Sequence, residues 1–172
     1  LEDLGCDVVS LYCEPDGRFP NHDPDPLVED NIRDLKDLVL KESADIGIGF
    51  DGDGDRLGVV DERGMMVLPD KYVALLARDF LASGPAKVVL DVRCSQALID
   101  DIANHNGIPF MTRCGNAYIL RKMRQENAAL GVELSGHVFF NDTPLNFDDA
   151  LFAACKLVQY LSRMDKPLSE LI

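Results

Sequence analysis

The stretch IGIGFDGDGDRLGVV, residues 46–60, constrains this chain more than any other. The apolar runs on either side read as strands, and between them Asp51, Asp53 and Asp55 alternate with Gly52 and Gly54 before Arg56. Glycine accepts positive φ, so the loop can turn tightly at a sheet edge and aim three carboxylates at one point. Such carboxylates repel: one pair ~4 Å apart costs about 4 kcal/mol at an effective dielectric of about 20. A hard divalent cation relieves the repulsion, and an all-oxygen donor set suits Mg²⁺, with octahedral positions left over for phosphate and water. Arg56, next in line, has the fork geometry for a bidentate grip on phosphate.

Other readings of the loop compete. An EF-hand has Asp at its first, third and fifth positions and Glu at its twelfth, which Asp51, Asp53, Asp55 and Glu62 match. Its sixth position must be Gly, however, and here it is Arg56. A phosphatase of the haloacid-dehalogenase type also carries Asp-x-Asp after a strand, with the first Asp, here Asp51, as nucleophile. That pattern usually continues to Thr or Val where this chain has Asp55, and it stands as the alternative. A solvated acidic turn is the plainest reading; the apolar flanks and the glycines placed for close approach argue against it.

The remainder of the chain alternates strand and helix patterns, which indicates α/β architecture with helices packed on mixed sheets. Residues 8–12 read as a short strand. The next stretch, CEPDGRFPNHDPDP, holds four of the nine prolines and reads as a long extended loop. Asp25-Pro26 is expected to open a helix running to about residue 41. Strands are expected at 46–50 and 57–61, with a turn at 62–64 into a strand at 65–68. Asp70 is expected to cap a helix that ends at Ser83-Gly84-Pro85. Beyond it, strands are expected at 87–91, 109–112, 130–134 and 138–140. Helices are expected after Ser95, at 117–126 and at 148–164. A boundary near residue 68 divides two units, 1–68 incomplete and 69–172 more complete.

Charge narrows the function classes. The net charge of −13 lies wholly in residues 1–62, which hold 18 acids and 5 bases; residues 63–172 hold 12 of each. This balance argues against nucleic-acid and anionic-membrane partners, which need Lys and Arg. No apolar run approaches the ~20 residues of a membrane span. No signal peptide is seen, and without an initiator Met the chain is expected to begin partway through a longer product. Cys6, Cys13, Cys94, Cys114 and Cys155 are odd in number and widely spaced with no CxxC pair, as expected for reduced thiols in the cytoplasm.

Three stretches in this order, EPDGRFPNHDPDP at 14–26, GFDGDGDR at 49–56 and GVELSGH at 131–137, carry a resemblance to the α-D-phosphohexomutase superfamily, the phosphomannomutase/phosphoglucomutase enzymes. It covers essentially the whole chain. It implies a metal-binding α/β unit over 1–68, the back part of the family's second domain, and a sugar-recognition α/β unit over 69–172, most or all of its third. It also implies that the phosphoserine domain and the terminal phosphate-binding domain lie elsewhere in the protein, since none of the seven serines sits in the family's TASHNP-like context. The segment is therefore not expected to turn over alone.

By this resemblance, Asp51, Asp53 and Asp55 hold Mg²⁺. A phosphoryl group passes from the phosphoserine to a hexose phosphate, and a 1,6-bisphosphate reorients before the other phosphate returns. Arg56 stabilises charge on the transferring group. Glu133 and Ser135 match the sugar-binding turn, and His137 brings an imidazole suited to proton transfer. Arg93 stands where the family often has Lys, and Cys114-Gly115-Asn116 where it often shows a Thr-Gly-His or Val-Gly pattern. Gly115 is kept, while Asn116 replaces a common His; Arg93, Gly115 and Asn116 are expected at the substrate. Without the resemblance, Arg93 reads equally as half of a surface ion pair. A non-catalytic metal- or sugar-phosphate-binding module is the non-enzymatic alternative.

Overall fold

The structure, a computed structural model, describes residues 1–141 and 147–172. Two sheets carry the chain. The first is antiparallel and has the order β1-β2-β3, from strands Ile46–Phe50, Leu57–Asp61 and Met66–Val67. The Asp61 carboxylate closes the turn between β2 and β3 by accepting the backbone N–H groups of Arg63 at 3.0 Å and Met65 at 2.8 Å. Helix α1, Arg33–Glu42, covers one face of this sheet, where Ile32 and Val39 pack on Val60. Leu57, Val59 and Val67 point the other way, as the period of two in a strand requires, and join the main core.

The second sheet has the order β5-β4-β6-β7. Its strands are β4 Lys87–Asp91, β5 Ile108–Thr112, β6 Leu130–Val132 and β7 Val138–Phe140. The pairs β4–β5 and β4–β6 are parallel, and β7 closes one edge antiparallel. Val88 and Leu90 face helices α2 (Pro69–Leu81), α3 (Gln96–Asn104) and α5 (Ala150–Leu161), while Val89 faces α4 (Asn116–Glu126). A central strand covered on both sides has to be apolar throughout, and β4 reads KVVLD for that reason.

The fold class is α/β, with helices on mixed sheets as the residue pattern indicates. Ser95 caps α3 by accepting the Leu98 N–H at 3.3 Å, as expected. Several elements differ from expectation. Residues 8–12 run irregularly, without a ladder. The helix expected from Pro26 begins seven residues later. The Asp25 side chain accepts the Leu27 N–H at 3.1 Å, and Asn31 Nδ2 donates to the Asp25 carbonyl at 3.0 Å, which holds the segment in turns. Asp70 is not the cap of α2: Leu68 is, Pro69 takes the first helical position, and Asp70 sits in the first turn with Oδ1 buried and without a hydrogen-bond partner among the described residues. A short helix α6, Leu168–Leu171, adds buried Leu168 to the core.

Candidate active site

Strand β4 is followed in sequence by β5 on one side of it and, later, β6 on the other. Its carboxyl end is therefore a switch point, where crossovers diverge and leave a crevice. Arg93 follows β4 there, Gly115 and Asn116 follow β5, and Glu133 follows β6. Asp91, at the end of β4 and 0% exposed, organises the rim. It accepts the backbone N–H groups of Arg93 at 2.6 Å and Leu134 at 3.0 Å, and binds the Arg93 guanidinium through Nη2 at 2.7 Å and Nε at 3.1 Å. Burial opposes its ionisation, but Arg93 and the two amides outweigh that and hold the carboxyl below the usual range.

Glu133 is buried, and its Oε1 accepts the Gly115 N–H at the start of α4. Ser135 Oγ lies 2.9 Å from His137 Nδ1 and accepts from Arg93 Nη2 at 3.5 Å. Glu133 Oε2 lies 3.4 Å from the same His137 nitrogen. The turn holding these residues is backbone-tied to the start of β2, where Leu57 N–H donates to the Gly136 carbonyl at 3.1 Å. Gly136 has φ of 95°, and a Cβ there would sit 3.2 Å from the Leu57 carbonyl oxygen, so glycine permits the approach.

That tie brings the acidic loop to the turn. Asp51, its side chain 3% exposed, accepts the backbone N–H groups of Gly54, Asp55 and Arg56 on Oδ1 and Arg56 Nε at 2.6 Å on Oδ2. Burial pushes its carboxyl up, but the Arg56 guanidinium and backbone N–H, together with the Asp55 side chain, outweigh it and hold the group below the usual carboxylate range. A carboxylate so engaged is a poor nucleophile, which counts against a phosphatase built on Asp51. Arg56 is held on its other side by Asp25, with Nη1 3.3 Å from Oδ2.

Asp55 titrates high. Burial is the main cause, the carboxylates of Asp51 and Asp53 add to it, and His137 opposes it. One oxygen from each of Asp51, Asp53 and Asp55 lies within 4.8 Å of the others. Exposed Asp53 and crowded Asp55, beside an Asp51 whose geometry is fixed, make an all-oxygen donor set that fits Mg²⁺. His137 Nε2 reaches Asp55 Oδ1 at 3.3 Å, so the loop and the turn meet.

The structure thus brings Arg56, Asp51, Asp53, Asp55, Glu133, Ser135 and His137 into one cluster, with Arg93 and Gly115 at its rim. Asn116 is the first residue of α4. Sequence reasoning missed Asp25, Asp91 and Asp148. Asp91 carried a signal, an acid at the end of an apolar strand one residue before the turn. Asp148 was hidden by its neighbour: Asp149 is the α5 cap, accepting the Phe152 N–H at 2.9 Å, whereas Asp148 turns into the cluster 3.9 Å from His137 Nε2.

Known proteins give an independent measure. Two family models match: phosphoglucomutase/phosphomannomutase alpha/beta/alpha domain II over residues 1–64, and domain III over 68–172. A phosphomannomutase/phosphoglucomutase of Pseudomonas aeruginosa is 44% identical over 164 residues, which is 95% of this chain and 35% of that protein. A phosphoglucomutase of Neisseria gonorrhoeae is 42% identical over 165 residues, covering 95% of this chain and 36% of its own length. The crystal structure of a phosphoglucomutase/phosphomannomutase family protein from Burkholderia thailandensis superposes with a TM-score of 0.94 at 39% identity, over 99% of this chain and 38% of the other. The chain spans little more than a third of the length of these relatives.

Proposed function

The chain belongs to the phosphoglucomutase/phosphomannomutase family, and we propose that it is the segment of a phosphohexomutase that supplies the metal loop and the sugar-recognition turn. The enzyme interconverts hexose 1-phosphates and 6-phosphates through a phosphoserine and a 1,6-bisphosphate. The observation that carries this reading is the 3.3 Å approach of His137 Nε2 to Asp55 Oδ1, which makes one site of two motifs 82 residues apart in sequence.

Asp51, Asp53 and Asp55 would hold Mg²⁺, which neutralises phosphate charge. Arg56, fixed by Asp51 and Asp25, adds a positive charge beside the transferring group; phosphoryl transfer rests mostly on such positioning and neutralisation. Ser135 and Glu133 hydrogen-bond adjacent sugar hydroxyls, and Arg93, Gly115 and Asn116 line the entry. His137 takes the proton of the attacking hydroxyl and returns it to the leaving oxygen.

The division near residue 68 separates a metal-binding part, 1–68, from a sugar-recognition part, 69–172. The phosphoserine and the terminal phosphate-binding domain come from other parts of the same protein. The enzyme works in the cytoplasm; support for this comes from its cysteine usage, odd in number and widely spaced.

The test is an assay of the full-length protein with mannose 1-phosphate and glucose 1-phosphate, Mg²⁺ and a trace of hexose 1,6-bisphosphate. Formation of the 6-phosphates is expected. Release of inorganic phosphate without isomerisation would refute the mutase reading in favour of hydrolysis.

A further inference from the structure

The buried end of the Asp148 side chain is the unexplained group in this site. The side chain is 9% exposed, and its Oδ2 is buried without a hydrogen-bond partner among the described residues. A buried acceptor left so calls for a water or an ion. It points at the cluster: Oδ2 lies 3.9 Å from His137 Nε2, which itself lies 3.3 Å from Asp55 Oδ1. One ligand atom from each of Asp55, His137 and Asp148 lies within 4.8 Å of the other two.

We infer that Asp55, His137 and Asp148 form a second metal site, distinct from the aspartate loop and sharing Asp55 with it, which takes a borderline divalent cation of the Zn²⁺ class. The geometry suits such an ion. Zinc bonds of about 2.0–2.2 Å to nitrogen and oxygen set tetrahedral donor atoms roughly 3.3–3.6 Å apart. The two separations at Nε2 bracket that range, so small side-chain shifts close the site.

The other ring nitrogen is already engaged. Nδ1 faces Ser135 Oγ at 2.9 Å and Glu133 Oε2 at 3.4 Å; with the ring proton on Nδ1, the Nε2 lone pair is aimed into the cluster. This is the carboxylate–histidine–metal arrangement that fixes the tautomer of a ligating imidazole. Donor chemistry separates the two sites: three carboxylates select a hard ion, whereas an imidazole shifts preference along the Irving–Williams series.

One consequence rests on the mutase reading. With zinc on Nε2, His137 can no longer accept the sugar hydroxyl proton, and zinc therefore inhibits turnover while the loop keeps its own ion.

The experiment is calorimetric titration of Zn²⁺ into the full-length protein at saturating Mg²⁺, without sugar phosphate. One tight equivalent is expected. Asp148→Asn and His137→Gln should each weaken it at least tenfold, and Asp53→Asn should leave it within about threefold. Unchanged affinity in Asp148→Asn, or a loss confined to Asp53→Asn, overturns the proposal, the latter because zinc would then merely displace magnesium from the loop.

Should the variants fail to fold, histidine ¹⁵N NMR of the wild-type protein decides. A Zn²⁺-dependent shift of His137 Nε2 supports the site, and an unmoved signal refutes it. The binding readout is independent of turnover, so zinc bound by a protein that isomerises nothing would keep this site and remove the mutase reading.

Discussion

Truncating Asp91 tests how the turn at Glu133–His137 is held. Asp91→Ala removes the acceptor of two backbone N–H groups, those of Arg93 and Leu134, and the partner of the Arg93 guanidinium. Hydrogen bonds to a charged acceptor contribute about 1.5–3 kcal/mol each. Residue 93 is exposed and water replaces its partner, so the two amides together come to the low end, about 3 kcal/mol. The guanidinium adds little: the Arg93 side chain is 47% exposed and rehydrates once freed.

For a chain of this length such a loss lowers Tm by about 6–12 °C. Urea unfolding followed by circular dichroism measures it, and a loss under about 1 kcal/mol would refute the anchoring role. The pH dependence checks the cause. Asp91 titrates below the usual carboxylate range when folded, so its contribution is complete above the unfolded-state value and fades as pH falls through the folded one. The gap between wild type and Asp91→Ala should therefore hold at pH 7 and shrink below about pH 4.

Two further outcomes follow from packing and burial. At Gly58 a Cβ would lie 2.6 Å from Pro26 Cβ and 2.7 Å from the Pro26 carbonyl oxygen, so Gly58→Ala should push the 13–32 segment off β2, cost about 1–3 kcal/mol, and speed proteolysis within that segment; an unchanged cleavage pattern would contradict it. Burial pushes the Cys94 thiol up to about 12, whereas Cys13 is exposed, so iodoacetamide at pH 8 should label Cys13 well before Cys94 by mass spectrometry; equal labelling would show that Cys94 is accessible.

What the sequence revealed follows the range of the interactions involved. The acidic loop was legible because its chemistry is local: alternating Asp and Gly after an apolar strand dictate both the turn and the crowding. Strands β1, β2 and β4 and helices α3 to α5 were legible from apolar period and capping residues. Residues 8–12 look like a strand but form no ladder, since pairing depends on a distant edge rather than on their own side chains. The start of α1 was misplaced because Asp25 and Asn31 bond the backbone in a competing turn. In the site, Asp53 and Ser135 could be read from motifs. The lock on Asp51 by Arg56, the anchoring by Asp91 and the inward turn of Asp148 depend on contacts that no spacing encodes.

The seam between the sheets has a consequence for engineering. Leu57 and Val59 of the first sheet share one core with Leu90, Leu130 and Leu157, Tyr72 OH donates to the Leu57 carbonyl at 2.9 Å, and Ala150 N–H donates to Gly54 at 3.3 Å. A chimaera spliced between the two matched domains, near residue 66, would inherit the Asp51–Asp55 loop from one parent and the helices that hold that loop from another. Homologous exchange should succeed only when the facing residues of β2, α2 and α5 travel together, so the unit of inheritance here is wider than the unit of sequence recognition.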